Sequence, residues 1–454
     1  MLTINRYKKL KAILLFFCIS IFGNSINAQQ GINDSNTPLH LLQPNYPLPY
    51  GKSNTEEIKK VLDRVFYFLE KSTPARLKDK QSGLQLNKYS GSMENAEFEK
   101  SLFRLTSYEW GVTYAGMLRV AEVTKDKQYQ DYVFSRLGFL ADLYPVFQTV
   151  SLERLNDSPM RSVVTPHALD DAGAIGVSMI KAKYANFDKN LDPMIENFID
   201  FISNKEFRLN DGTFARNRPI KNTLWLDDLF MSVPALAWYS LYKDSPAHLD
   251  DAIKQVLQFS EKMFDDKKGI YRHGLVEGQV NSPSFHWARA NGWAFMAIVE
   301  LLSVMENSHP LREKVLYYYK AHAVGLSNYQ SSTGFWHQLL DRNDSYLETS
   351  ATAIFTYGFA KGINEGWIDY RVFGPSTLLA WEAVASKVNE IGQVEGTCVG
   401  TGMGFDPAFY YYRPVNVFAA HGYGPVLLAG AEISALLINF NFELNEKAVQ
   451  FLEK

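Results

Sequence analysis

The residues of this chain best suited to move protons are two adjacent pairs of aspartates, one histidine and one arginine set among indoles. Asp227 lies in Thr223-Leu-Trp-Leu-Asp-Asp-Leu-Phe-Met231, between bulky aromatic residues and an apolar run. A carboxylate in that setting is expected to be partly desolvated, which raises its pKa and lets it hold a proton for donation. The competing reading is an N-cap for the helix that starts here, and Asp228 competes for that place. Asp170 and Asp171 pose the same choice in His167-Ala-Leu-Asp-Asp-Ala-Gly-Ala-Ile-Gly176. Arg289, in His286-Trp-Ala-Arg-Ala-Asn-Gly-Trp293, has apolar neighbours and two flanking indoles, a setting suited to two-point capture of a carboxylate. His273, in Tyr271-Arg-His-Gly274, is by itself as consistent with a satisfied turn histidine as with a site residue.

These residues recur at one kind of place. Tyr108 and Trp110, Asp170 and Asp171, Trp225 with Asp227 and Asp228, Trp287 with Arg289 and Trp293, Tyr346 with Glu348, and His421 all fall just before or at the start of every second helix that the sequence predicts. If those helices run parallel in a barrel, their starts open on one face and form a mouth of carboxylates, one arginine and several aromatic rings. That is the chemistry of a sugar site, where rings pack on pyranose faces and carboxylates transfer protons. No His-x-His, His-Glu-x-x-His or Asp-x-Asp-x-Asp pattern accompanies the aspartates, so neither zinc nor calcium is expected.

The elements that must position this mouth are helical. Ile58, Val61, Leu62, Val65, Phe66 and Leu69 repeat at helical spacing, with Ser53 and Glu56 placed as a capping box. The same period returns near 106–124, 127–143, 167–183, 191–203, 228–243, 248–264, 288–306, 311–328, 348–363, 367–386 and 425–440, which predicts twelve helices. Alternate helices are poor in charge and rich in Ala, Gly and Met, as an inner ring would be, while others such as 248–264 carry one charged face. Gly212–Phe214, Gly269–Tyr271 and Gly334–Trp336 read as small hairpins between helices rather than parts of a sheet. No linker, charge block or low-complexity tract divides the chain after about residue 50, so residues 29–454 are read as one domain, an all-α toroid of six helical hairpins.

The first residues read differently. Arg6, Lys8, Lys9 and Lys11 precede an apolar run from Ala12 to Phe22, and Ser25-Ile-Asn-Ala28 leads into Gln29. This order predicts a secretory signal peptide over 1–28 and an exported, periplasmic or secreted protein, because the apolar run is too short to span a bilayer. Cys18 belongs to that segment, and Cys398 alone cannot form an internal disulfide. A net charge of −3 offers no basic field for nucleic acid, and 14% aromatic residues suit a protein that builds ring-walled pockets.

Asp170-Asp-Ala-Gly173, Trp225-Leu-Asp-Asp-Leu-Phe-Met231, Tyr271-Arg-His-Gly274, Trp287-Ala-Arg-Ala-Asn-Gly-Trp293, Gly334-Phe-Trp-His-Gln338, Glu348-Thr-Ser-Ala-Thr-Ala353 and Gly396-Thr-Cys-Val-Gly-Thr401 stand in this order. In that order they resemble the unsaturated glucuronyl and rhamnogalacturonyl hydrolases of glycoside hydrolase families 105 and 88. The resemblance covers nearly all of the chain after residue 28. It implies an (α/α)6 barrel in which Asp227 acts as general acid and base and Asp171 assists, with Tyr108, Trp225, His273, Arg289 and Trp293 lining the subsite for an unsaturated sugar. Arg216, Arg218 and Lys221 fall in a segment that differs among relatives and are further candidates for the substrate carboxylate. The implied partner is an oligosaccharide with an unsaturated uronate end, freed without metal or organic cofactor by hydration of its double bond and not by the two-carboxylate displacement of saturated glycosides. A sugar epimerase on the same barrel would need paired histidines, for which His273 and His421 are the available residues. A non-catalytic glycan binder would keep the rings and lose the acids.

Overall fold

In the computed structural model, residues 51, 53–89, 93, 95–279, 282–445 and 448–453 are described. The described residues within 51–443 and 450–453 form one compact unit. The segment read as a signal peptide lies outside the described residues.

Twelve long helices are found among the described residues: α1 (Thr55–Ser72), α2 (Tyr108–Thr124), α3 (Lys127–Phe147), α4 (Leu169–Tyr184), α5 (Asp192–Asp200), α6 (Val233–Lys243), α7 (Pro246–Met263), α8 (Ala288–Val304), α9 (Arg312–Ser327), α10 (Thr349–Asn364), α11 (Tyr370–Ala385) and α12 (Tyr423–Asn439). Helices α2, α4, α6, α8, α10 and α12 pack in sequence order, and α12 closes back on α2. Each outer helix leans on one inner helix, α1 on α12 and α3, α5, α7, α9 and α11 on the inner helix that precedes each in the chain. This closed double ring is an (α/α)6 barrel.

The two rings use different sequence because they meet different surroundings. Outer helix α1 buries one stripe, Ile58, Val61, Leu62, Val65, Phe66 and Leu69, and leaves its charged side to water. Inner helix α8 is buried continuously from Ala288 to Leu302, because neighbours cover it on nearly every side. Helix α12, with Ala420–Gly422 before it, is long and apolar enough to cross a membrane, yet 83% of that stretch is buried inside the barrel.

Close packing of this kind demands small residues at particular points. A Cβ on Gly173 of α4 would lie 1.9 Å from the Met231 carbonyl oxygen, and one on Gly292 of α8 would lie 3.1 Å from the Ile354 side chain. Gly292 therefore stays within a helix where alanine is intrinsically preferred.

Two expectations about helix starts are corrected. Asn54, not Ser53, caps α1 by accepting from the Glu57 amide at 3.0 Å, while the Ser53 hydroxyl donates to Glu382. Helix α6 begins at Val233 instead of 228. Pro234 lacks an amide hydrogen to extend the ladder backward, so Leu226–Leu229 forms a separate 3-10 turn. Asp227 and Asp228 sit in that turn and neither serves as an N-cap with its side chain.

Most short strands form local pairs, such as Phe264–Asp265 with Ile270–Tyr271 and Trp336–His337 with Leu347–Glu348. One pair is not local. Thr223–Trp225 runs antiparallel to Gly274–Val276, with Trp225 opposite Gly274.

Candidate active site

The direction of the inner helices fixes where the site opens. Arg119 of α2, Lys181 of α4, Trp238 of α6, Glu300 of α8, Tyr357 of α10 and Glu432 of α12 line one cavity of about 550 Å3. Five of the six lie in the C-terminal halves of their helices, and Trp238 lies at the middle of α6 with Leu241 of the same cavity beyond it, so the inner helices run parallel and their N-termini gather at the opposite face. Those N-termini carry the residues that the sequence singled out.

The Thr223–Trp225 and Gly274–Val276 pair builds the centre. The Leu226 amide donates to the His273 carbonyl at 2.9 Å, which places the next residue, Asp227, beside the His273 ring. Asp227 Oδ2 is 3.0 Å from His273 Nε2, and His273 Nδ1 is 2.8 Å from the Tyr410 hydroxyl. His273 is fully buried and Asp227 retains 8% exposure, so the carboxylate is the accessible end of this chain.

Asp228 points elsewhere. The Arg216 Nε donates to its two oxygens at 2.9 and 3.1 Å, and Nη2, which also donates to Asp228 Oδ1, reaches Asp170 at 3.1 Å. Arg216 is held there by reciprocal backbone hydrogen bonds with Thr223 of 2.7 and 2.8 Å, and its guanidinium lies 4.4 Å over the Trp225 ring.

The two neighbouring aspartates are thereby driven apart electrostatically. Burial raises the Asp227 carboxyl, but the charge and hydrogen bond of His273, with help from Arg216, outweigh it and leave the group below its ordinary value. For Asp228 burial dominates, reinforced by the negative charges of Asp170 and Asp227, and the pKa is pushed up to about 6 despite Arg216. The expectation that desolvation would raise Asp227 is therefore corrected, since its histidine partner was not visible as a neighbour in the sequence. Glu206, which faces Asp228, Arg216 and Asp170, is pushed up to about 7, mainly by burial.

The other predicted residues surround this centre in different ways. Asp171 accepts from the His167 amide at 3.1 Å and also pairs with the His167 ring. With Tyr108, Asp170 and Arg161 it lines a cavity of about 550 Å3. Tyr108 contacts His421 Nε2 at 2.6 Å and turns its ring edge-on to Trp293, centroids 6.4 Å apart. Burial, followed by the field of Arg289, holds His421 well below its usual pKa. His273 and His421 have separate partners, Asp227 for one and Tyr108 for the other.

Trp225 is half-buried and donates its indole N–H to the Arg218 carbonyl at 3.2 Å. Trp293 is 1% exposed and stacks on Phe230 with centroids 4.9 Å apart, so it is a wall behind the site and not an open stacking platform. Arg289 is fully buried. Its guanidinium donates to the carbonyls of Cys398 and Val399, both at 2.7 Å, and to Ser350 at 3.2 Å. The free planar fork expected from the sequence is therefore occupied by protein carbonyls, which anchor the Cys398–Val399 segment. Glu348 accepts from the Cys398 amide at 2.9 Å and caps α10. Arg218 is exposed and lines a second cavity of about 260 Å3 with Glu206, Arg216 and Asp228, while Lys221 is exposed and lines neither site cavity.

Tyr410 and Glu206 escaped the sequence reading. Tyr410 stands in a run of four aromatics from Phe409 to Tyr412 that gives no reason to prefer one. Glu206 lies outside every motif and is placed by the end of the helical segment that continues α5.

A barrel with acids and aromatic residues at its open face is the architecture of a carbohydrate-active enzyme. The model of Glycosyl Hydrolase Family 88 matches residues 75–437, and the chain belongs to that family. It is 26% identical over 378 residues to the unsaturated 3S-rhamnoglycuronyl hydrolase of Formosa agariphila, covering 78% of this chain and 93% of that protein. Identity to the unsaturated rhamnogalacturonyl hydrolase YesR of Bacillus subtilis is 22% over 335 residues, covering 72% and 90%. The crystal structure of a possible GH105 member from Salmonella enterica serovar Paratyphi A shares the fold with a TM-score of 0.69 at 22% identity, covering 89% of this chain and 98% of that one. The protein is a glycosidase, and the resemblance read from the ordered motifs is borne out.

Proposed function

We propose that this enzyme removes a 4,5-unsaturated uronic acid from the non-reducing end of oligosaccharides left by polysaccharide lyases, including rhamnose-linked uronides such as those named for its relatives. The observation that carries this reading is the Asp227–His273 pair, a carboxylate that keeps 8% exposure backed at 3.0 Å by a fully buried imidazole. Such a pair holds a proton and presents it from the carboxylate side. Asp228, bound to Arg216, is engaged elsewhere.

Asp227 gives its proton to C4 of the C4=C5 bond, and the resulting positive charge at C5 is shared with the ring oxygen. Water adds at C5 and returns a proton to the pair, so the enzyme is regenerated and one water is consumed. The hemiketal opens to a ketone and the aglycone leaves from C1. The six inner-helix N-termini at this face supply partial positive charge that favours an anionic sugar. Tyr108, whose hydroxyl burial keeps well above its ordinary pKa, stays protonated and provides a neutral polar wall.

The test is hydrolysis of a lyase-generated disaccharide in labelled water. Heavy oxygen is expected at C5 of the released sugar and deuterium at C4, with loss of the ultraviolet absorbance of the unsaturated uronate. Oxygen label at C1 would return the protein to the displacement class. We further propose that the protein is exported, supported by the basic and apolar order of its first residues; a mature form beginning near Gln29, found outside the cytoplasm, is the expected outcome of fractionation and N-terminal sequencing.

A further inference from the structure

His273 is fully buried beside Asp227, and its far nitrogen has a partner that no sequence motif contains. Tyr410 belongs to the short helix Pro407–Tyr411, fixed at its start by Asp406 accepting from the Phe409 amide at 3.0 Å. Its ring is 1% exposed and packs against Phe285, with centroids 5.1 Å apart. The hydroxyl meets three groups: His273 Nδ1 at 2.8 Å, the Gly404 amide, which donates to it at 3.1 Å, and the Gly404 carbonyl at 3.3 Å.

This set of partners gives the single hydroxyl hydrogen two destinations. Pointed at Nδ1, it satisfies a neutral imidazole whose Nε2–H donates to Asp227. Rotated to the Gly404 carbonyl, it leaves the oxygen free to accept Nδ1–H, which suits either an imidazolium or the other neutral tautomer with the proton on Asp227. In each arrangement the buried donors and acceptors of the chain are paired. Without the hydroxyl, at least one buried ring nitrogen is orphaned whenever a proton moves.

We propose that Tyr410 is a positioning residue whose rotating hydroxyl lets His273 gain and lose a proton without strain, and through it sets the protonation of Asp227. The inference rests on the role assigned above to Asp227. Other groups whose charges bear on this chain are Arg216, Asp228, Arg289 and Tyr108 around Asp227, and Asp406 near Tyr410. Tyr410→Phe leaves all of them in place and keeps the ring packing.

The decisive measurement is a histidine titration by NMR in protein labelled with 15N-histidine, with the His273 signals assigned by their loss in His273→Gln. In Tyr410→Phe the imidazolium loses a charge-assisted acceptor while the neutral ring loses only a weaker bond, so the His273 midpoint should fall by about one pH unit. The basic limb of the kcat profile should move with it, kcat should drop about tenfold, and KM should change by less than about twofold. Adding Tyr410→Phe to His273→Gln should cost nothing further in kcat. A His273 midpoint unchanged in Tyr410→Phe overturns the proposal, as does an additive effect in the double variant. The titration needs no substrate, so it decides the role of Tyr410 even if the substrate reading fails, and inactivity of the wild-type enzyme on unsaturated fragments would count against that reading alone.

Discussion

Asp227 and Asp228 are neighbours in the chain and face opposite chemical demands. Asp227 keeps a little solvent access and an imidazole, so it is a carboxylate with a proton at hand. Asp228 is fully buried and spends its oxygens on Arg216. Asp227→Asn preserves size and removes the transferable proton, so kcat should fall by about two to four orders of magnitude with an unchanged unfolding midpoint. Retention of more than about a tenth of the activity, a loss smaller than the roughly hundredfold least worth of a general acid, would move the acid role to Asp171 or Asp228. Glu206 offers a test of the surrounding electrostatics. Its pKa is raised from an ordinary 4.5 to about 7, so the folded state holds a proton that the unfolded chain releases between those values. Stability is therefore lost as pH rises through that window. Glu206→Gln should be more stable than wild type by about 1 kcal/mol at pH 8, allowing for partial solvent access. The gap should close by about pH 4. Urea unfolding across that range reads it directly, and a constant gap would show that Glu206 is not the group responsible.

At the scale of elements, the site depends on how closely α4 approaches the 3-10 turn that carries Asp227. Gly173, two residues after Asp171, permits that approach because its missing side chain would otherwise strike the Met231 carbonyl. The backbone there cannot yield cheaply, since the Met231 amide already donates to the Asp227 carbonyl at 3.1 Å. Gly173→Ala should therefore cost about 1–3 kcal/mol of stability by overpacking. It should also lower kcat more than it raises KM, because the turn that shifts is the one presenting Asp227. A variant with wild-type stability and kinetics would show that the contact relaxes without moving the turn. Arg289 acts at the same scale, since its bonds to the carbonyls of Cys398 and Val399 hold that segment against α8.

For the whole molecule, closure of the inner ring joins the last helix to the first. Glu432 on α12 accepts from Arg119 on α2 at 2.7 Å and from Asn364 on α10 at 2.9 Å, and is 1% exposed. Removing it leaves a partly buried arginine without its main counter-charge. Glu432→Ala should destabilise the barrel by about 3–5 kcal/mol in urea unfolding. Activity of the folded fraction should remain within about twofold, because the network lies roughly 15 Å along α12 from His421 at a rise of 1.5 Å per residue. A large loss of kcat with little loss of stability would mean that the two faces of the barrel are coupled.

Periodicity alone determined the number of helices and their division into two rings, because a helix enclosed on all sides must be apolar and small-residued while an outer one needs only a stripe. It also brought Asp171, Tyr108 and Arg289 to helix starts and Asp227 and His421 to the turns just before them, since local spacing fixes which end of a helix a residue lies near. Ring closure and the parallel run of the inner helices decided that those starts share one face. Partners were beyond its reach. His273 lies 46 residues from Asp227 and meets it at 3.0 Å through a strand pair that joins non-consecutive segments, and Tyr410 arrives from 137 residues away. Local pattern constrains a residue's own conformation and burial, whereas its pKa and hydrogen-bond partners are set by whatever the closed ring places against it. That is why the burial of Asp227 could be read from the sequence while the direction of its pKa shift could not.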